Sequence, residues 1–321
     1  MNLELSDEAQ EYGRQAQRAL GAAGGDELVR QVESDPAVRP RLVEPVLAEL
    51  GAWELAPRED AAELEAAAAL CRSVGYWAVP YPVAERLARP GDLDLDGLVV
   101  VADPAPAAAV ADLDLRWAAV RLSGQRSTAA ARAPAGLARD VAFVAALDME
   151  YVDEHGAKDA ALGLLLPCWT LLGMLDRAID LTVEHVQVRV QFGKPLAAFQ
   201  AVQFQLTDAE VERSGVDVLA RYALWSVQAG DDDALNDALA LRLAVLEAAE
   251  IVFRVAHQLH GAMGFCDEAV LSWLSRYSQP LRRLPFGLSA TRQQLTRRIG
   301  RRGLTGLFSD PLQSGRTDYA L

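Results

Sequence analysis

Two stretches of this 321-residue sequence hold residue types that do chemistry in combination. The first is RVQFGKPLAAFQ (189–200), where Arg189, Gln191 and Phe192 precede Gly193 and Pro195. Glycine and proline this close together mark an abrupt break between two helical patterns. The second is HQLHGAMGF (257–265), in which His257 and His260 stand three apart on a predicted helix, so both can face one way. No carboxylate or thiol stands near them in a zinc-like pattern, so no metal is expected and a core or cofactor-facing role is the better reading. The cysteines, Cys71, Cys168 and Cys266, are far apart and odd in number. They form no disulfide framework or metal cluster in this reading and point to a reducing, cytoplasmic setting.

Charge narrows the partners. Asp and Glu number 45 against 31 Lys and Arg, a net charge of −14. That balance argues against nucleic acid and against a membrane surface. The N-terminus, MNLELSDEAQEYGRQ, is polar and acidic and reads as no signal peptide. The most apolar run, ALGLLLPCWTLLGML (161–175), is interrupted by Pro167 and flanked by charges, so a buried helix start is expected rather than a membrane span.

The elements that must position these stretches are mostly helices. Ser6 with Asp7 and Glu8 starts a helix to about Leu20. Further helices are predicted over about 26–34, from Pro36 to Gly51, and over 59–74, and YWAVPYP (76–82) then breaks helical continuity. LVVVAD (98–103), RWAAVRLS (116–123) and DVAFVAALD (140–148) read as short strands of a thin β region. Long apolar-periodic helices follow over about 158–190, 198–229 and 234–259, with a shorter helix after Asp267 and a last one over about 288–301. The fold class is therefore mainly α. It has an N-terminal helical domain (1–90), a reduced middle β region (91–155), a C-terminal four-helix bundle (156–305) and a flexible tail (306–321).

At this point the sequence resembles a known family. RVQFGKPLAAFQ before one long helix, and GAMGF at the end of the next, resemble the C-terminal domain of acyl-CoA dehydrogenases, and the order helices, β region, bundle is the same. The resemblance implies an FAD cofactor. In the family the residues matching Arg189, Gln191 and Phe192 reach across a subunit interface to FAD held by the neighbour. Gln258, Gly261 and Ala262 match the glutamine and glycine pair that approach that neighbour's pyrophosphate, with Ala262 in place of a usual glycine. The chemistry suits those roles: a guanidinium forks onto phosphate, a glutamine amide bonds phosphate or ribose, and a flat aromatic face receives adenine. Taken singly, Arg189 reads as a helix cap and Gly261 and Gly264 as helix ends. At this spacing they read together as a cofactor site.

The departures from the family pattern concern ownership. The family's general base is a glutamate in a loop after the glycine motif; here RRLPFGL (282–288) offers no carboxylate. A second family position for the base falls on Leu162 to Leu164, again without one, and Asp159 lies about a turn away. No catalytic residue is therefore assigned. The isoalloxazine-binding stretch of the middle domain has no counterpart between Gly91 and Glu154. The expected protein is one subunit of an acyl-CoA dehydrogenase of the two-subunit α2β2 kind that acts on steroid side-chain CoA thioesters. It would lend FAD-binding residues to a longer catalytic partner subunit. Two alternatives stay open: a self-sufficient enzyme with Glu268 or Asp159 as a relocated base, and a non-enzymatic helical scaffold. Arg276, Arg282, Arg283, Arg292, Arg297, Arg298, Arg301 and Arg302 make the C-terminal part basic, as a solvated or subunit-facing surface or a contact for a CoA phosphate.

Overall fold

The computed structural model describes residues 3–132 and 143–302. The chain opens with α1 (Asp7–Ala22), whose N-cap Ser6 accepts the Ala9 N–H, with Asp7 and Glu8 in the first turn against the helix dipole. α2 (Glu27–Ser34), a 3-10 turn (Pro36–Val38) and α3 (Arg39–Glu49) follow. α4 (Ala61–Tyr76) starts where the Asp60 carboxylate accepts the N–H groups of Ala62 and Glu63. After the proline-rich break comes a short helix that sequence patterning missed, α5 (Val83–Leu87).

The β region is fuller than the three runs predict. It holds β1 (Gly97–Val100), β2 (Ala107–Ala108), β3 (Trp117–Val120), β4 (Arg126–Ala131) and β5 (Ala145–Asp153). They form one small sheet in the order β1-β3-β4-β5-β2, with β1 parallel to β3 and the other pairs antiparallel. The predicted strand over 140–148 begins outside the described residues and is seen only as the start of β5. β4, RSTAAA, lacks the β-branched alternation of an autonomous strand; its pairing with β3 and β5 fixes it.

α6 (Ala157–Val188) is the central helix. It contains Pro167 and matches the helix predicted over about 158–190. α6 is long and apolar enough to cross a membrane, but 78% of its most apolar window is buried inside the protein. A helix apolar on all sides is here a core helix. A two-stranded hairpin follows, β6 (Val190–Gln191) and β7 (Lys194–Pro195). Then come α7 (Gln200–Ala229), α8 (Ala234–His260), α9 (Val270–Tyr277), α10 (Gln279–Arg283) and α11 (Leu288–Arg302). α6, α7, α8 and α11 make the bundle, and the expected tail at 306–321 lies outside the described residues.

α4 lies against α6 at backbone distance. A Cβ on Gly75 would stand 1.8 Å from the Thr170 carbonyl oxygen, and one on Gly173 would stand 1.9 Å from that of Arg72. Glycine is required at both. Arg72 then reaches Asp176 on α6 (2.6 Å) and Asp217 on α7 (2.7 Å), tying three helices by charge-assisted bonds. A single apolar cluster extends from Ala16 in α1 to Tyr277 in α9, with a smaller one around Trp117 on the other side of the sheet.

Candidate cofactor-facing site

The first stretch is held by the end of α6. The chain leaves the helix at Arg189 in extended conformation and folds into the β6–β7 hairpin, closed by Phe192 (φ 51°) and Gly193 (φ 80°). Two consecutive left-handed residues are the turn that best matches strand twist in a two-residue hairpin. Gly193 adopts that conformation freely, as the sequence predicts. Phe192 does so at a cost of about 1–2 kcal/mol and is nevertheless 91% exposed. Among the described residues its aromatic neighbour is Phe199, edge-on at 6.2 Å, whose ring also carries Lys194 Nζ at 4.3 Å. Arg189 and Gln191 are exposed, and among the described residues neither side chain has a hydrogen-bond or ion-pair partner.

The second stretch caps α8. Gly261 has φ 62° and ψ −144°, a region open essentially to glycine alone. Ala262 has no positive φ, so its Cβ in place of a usual glycine adds no backbone strain. Gly264 is buried for a different reason: a Cβ there would press on His260 Cβ at 3.0 Å and His257 Nδ1 at 3.3 Å. Gln258, Gly261 and Ala262 are all exposed.

The two stretches meet through histidines. His185, in the last turns of α6, stacks on His260 with centroids 4.3 Å apart and 18° between planes. His257 stacks on Phe265 at 4.4 Å. Burial first, then the His260 charge and Arg189, push His185 below its ordinary pKa, and burial does the same for His257 and His260. Neutral imidazoles can stack in this way. His257 and His260 are recognisable as a pair from their spacing, whereas His185 stands in no motif that would mark it. Around this joint the surface is apolar as well as polar, with Val188, Val190, Met263 and Phe265 exposed. An unpaired guanidinium, an uncovered aromatic face, free glutamine amides and a glycine without Cβ fit one side of a dinucleotide with a pyrophosphate.

The carboxylates are placed as follows. Asp159, only 6% exposed, accepts from Arg58 at 2.6 Å and from Arg126 at 3.3 Å. Arg126 also binds Asp153 and Asp92, and holds Asp153 well below the usual carboxylate range. Asp159 is thus a structural anion neutralised by two arginines, and the structure removes it as a relocated base. Glu268 is exposed, and its carbonyl, not its carboxylate, accepts from Arg30 at 2.8 Å. Leu162 and Leu164 are buried in α6. In the 282–288 segment, Arg242, 2% exposed, donates to the carbonyls of Leu284 (2.6 Å) and Phe286 (2.7 Å). A buried arginine therefore sets the shape of that turn. Of the basic C-terminal residues, Arg276 pairs with Asp267, Arg292 with Glu247, and Arg298 with Asn236. The side chains of Arg301 and Arg302 lie outside the described residues.

The fold is acyl-CoA dehydrogenase-like. Residues 165–298 match the family model "Acyl-CoA dehydrogenase, C-terminal domain". Over 92 residues it is 37% identical to acyl-CoA dehydrogenase FadE28 of Mycobacterium tuberculosis, covering 29% of this chain and 27% of that protein. Over 138 residues it is 33% identical to FadE27 of the same organism, covering 40% and 36%. The matched stretches thus span only about a quarter to a third of those relatives. The whole fold is similar to a chain of the ChsE4–ChsE5 complex from Mycobacterium tuberculosis, with a TM-score of 0.73 and 19% identity over 95% of this chain and 100% of that one. It is also similar to a chain of the Tcur3481–Tcur3483 steroid ACAD, a G363A variant, with a TM-score of 0.71 and 21% identity over 93% and 99%.

Proposed function

We propose that this chain is a subunit of an FAD-dependent acyl-CoA dehydrogenase that lends its Arg189 edge to a flavin held by a longer catalytic partner. The observation that carries the reading is the hairpin tip: Phe192 is held in a strained left-handed turn and left uncovered beside an unpaired Arg189. A backbone cost retained at an exposed aromatic points to use by something outside the chain. Arg189 supplies a fixed cation for a pyrophosphate, and Gln191 and Gln258 supply amide donors. Phe192 offers its face to adenine, and Gly261 lets backbone come close. FAD so bound would accept hydride from the acyl thioester while a base on the partner removes the α-proton. The loss of Asp159 to an ion cluster and the absence of a carboxylate from 282–288 support placing that base on the partner. Both neighbours named above are two-component assemblies, which supports a heteromeric enzyme, and one of them is a steroid ACAD, which supports a steroid side-chain CoA as substrate.

The test is flavin stoichiometry. The chain purified alone should lack a flavin spectrum, and co-expression with a full-length acyl-CoA dehydrogenase from its own gene neighbourhood should give a yellow complex with fewer flavins than chains. Stoichiometric flavin and turnover from this chain alone would refute the reading.

A further inference from the structure

A cavity of about 110 Å³ lies where α4, α5, β1, α6 and the 280–285 segment meet. Most of its wall is apolar, including Val74, Val79, Leu164, Met174 and Leu281. Three charged side chains also line it, Glu85, Arg39 and Arg242. The arginines have partners through their terminal nitrogens, while the buried Nε of each has none among the described residues. Arg39 donates to the Ala111 carbonyl and lies over the Phe143 ring at 3.9 Å. Arg242 donates to the carbonyls of Leu284 and Phe286.

Glu85 is different. Among the described residues its carboxyl has no partner on another residue, and its only hydrogen bond is to its own backbone N–H. Burial pushes it up to about 7. The residue keeps part of its surface exposed, in keeping with a place on a cavity wall. A second acceptor stands on the same wall. Pro167 has no N–H, so the Gly163 carbonyl loses its helical donor, and both residues line the cavity. A desolvated acceptor without a donor is costly, and a ligand that donates recovers that cost. Two arginines on the wall disfavour a cationic donor, and Glu85 disfavours an anion.

We propose that this cavity binds a small, neutral, largely apolar molecule through one hydroxyl that donates to the Glu85 carboxylate; the ligand class is an aliphatic or alicyclic alcohol, or the hydroxylated end of a longer hydrocarbon. The site lies within this chain and needs neither the flavin nor the partner. An engineered protein cavity of about 150 Å³ holds benzene, so the volume here suits a group of about five carbons.

The test uses the full-length chain with cyclopentanol, cyclopentane and cyclopentanecarboxylate as probes, followed by calorimetry and by the ¹³C resonance of the Glu85 carboxyl. Cyclopentanol should bind saturably and move the Glu85 titration to lower pH, because a donor favours the charged form. Glu85→Gln should weaken cyclopentanol about tenfold and leave cyclopentane unchanged. The resonance shift is read on wild-type protein and so does not depend on the variant folding. Absence of binding, equal affinity for alcohol and alkane, or tighter binding of the carboxylate would each overturn the proposal. The last result would assign the cavity to its arginines.

Discussion

Helix propensity says that Gly75→Ala should stabilise α4 by about 1 kcal/mol. The packing says the opposite. The new Cβ would stand 1.8 Å from the Thr170 carbonyl oxygen and 2.7 Å from its carbon. A carbon and a carbonyl oxygen ordinarily approach to about 3.3 Å, so the helices must part by roughly 1.5 Å. Neither can roll aside, because Gly173 of α6 sits equally close to the Arg72 carbonyl of α4. A radial gap of about 0.5–1 Å already forfeits a quarter to a half of a dispersion contact, and this seam is flanked by the buried side chains of Cys71, Val74, Leu171 and Met174. Overpacking of this kind costs about 1–3 kcal/mol, more where the obstacle is backbone. The net loss should be about 3 kcal/mol or more. Gly215 on α7 is the control: it has ordinary helical φ, and a Cβ added there would meet nothing within 4 Å. Gly215→Ala should gain about 0.5–1 kcal/mol. Urea unfolding of both variants, followed by far-ultraviolet circular dichroism, separates the two effects. A Gly75→Ala protein as stable as wild type would refute the close-packed helix pair.

Arg189→Gln should leave the stability of the free chain within about 0.5 kcal/mol, because Arg189 is exposed and unpaired, yet it should lower the flavin content of the co-expressed complex; an unchanged flavin-to-protein absorbance ratio would count against the site. Gly261→Ala should disturb both the α8 cap and flavin retention, since φ 62° with ψ −144° excludes a side chain, whereas Ala262→Gly should be nearly silent in the same assay. The pH dependence has two opposing arms. His185, His257 and His260 resist protonation in the folded state, so their contribution is full above about pH 6.5 and falls as the unfolded chain gains protons below it. Glu85 binds its proton more tightly when folded, so its contribution is present below about pH 4.5 and is lost as pH rises to about 7. Glu85→Gln should therefore gain on wild type in urea midpoint between pH 5 and pH 7, and a parallel pair of curves would contradict a desolvated Glu85.

The helices were legible because their signals are local. Ser6 and Asp60 cap as their residue types demand, and the periodic runs give α6, α7 and α8 nearly to the residue. The elements that escaped have non-local causes. β4 is an alanine run that becomes a strand only between β3 and β5. α5 is five residues wedged between prolines and the sheet. The same division holds at the site. Arg189, Gln191, Phe192 and the glycine stretch could be named from motif, but the His185–His260 stack that joins them spans 75 positions of chain. Asp159 carries no mark in sequence of the two arginines that neutralise it. Glu85 lies in an ordinary VAERL, and only the fold puts it on a cavity wall.

The exposed apolar side chains bear on who covers the hairpin. Val188, Val190 and Phe192 follow His185 in the chain, and Met263 and Phe265 follow His260; all five are exposed. Phe204, Val211 and Val218 continue along α7, each seven residues from the next, so they form one stripe. That stripe begins within a turn or two of the hairpin and runs about 21 Å at about 1.5 Å per residue. Single exposed apolar residues need no explanation, but three in line along α7, in a chain that also exposes Val188, Val190 and Phe192 just before that helix, do. A flavin alone would shield the hairpin tip and leave the α7 stripe wet. A partner chain lying along α7 and presenting its flavin to Phe192 accounts for both with one contact. This is why the strained, uncovered phenylalanine favours an arm extended to another subunit over a pocket belonging to this chain.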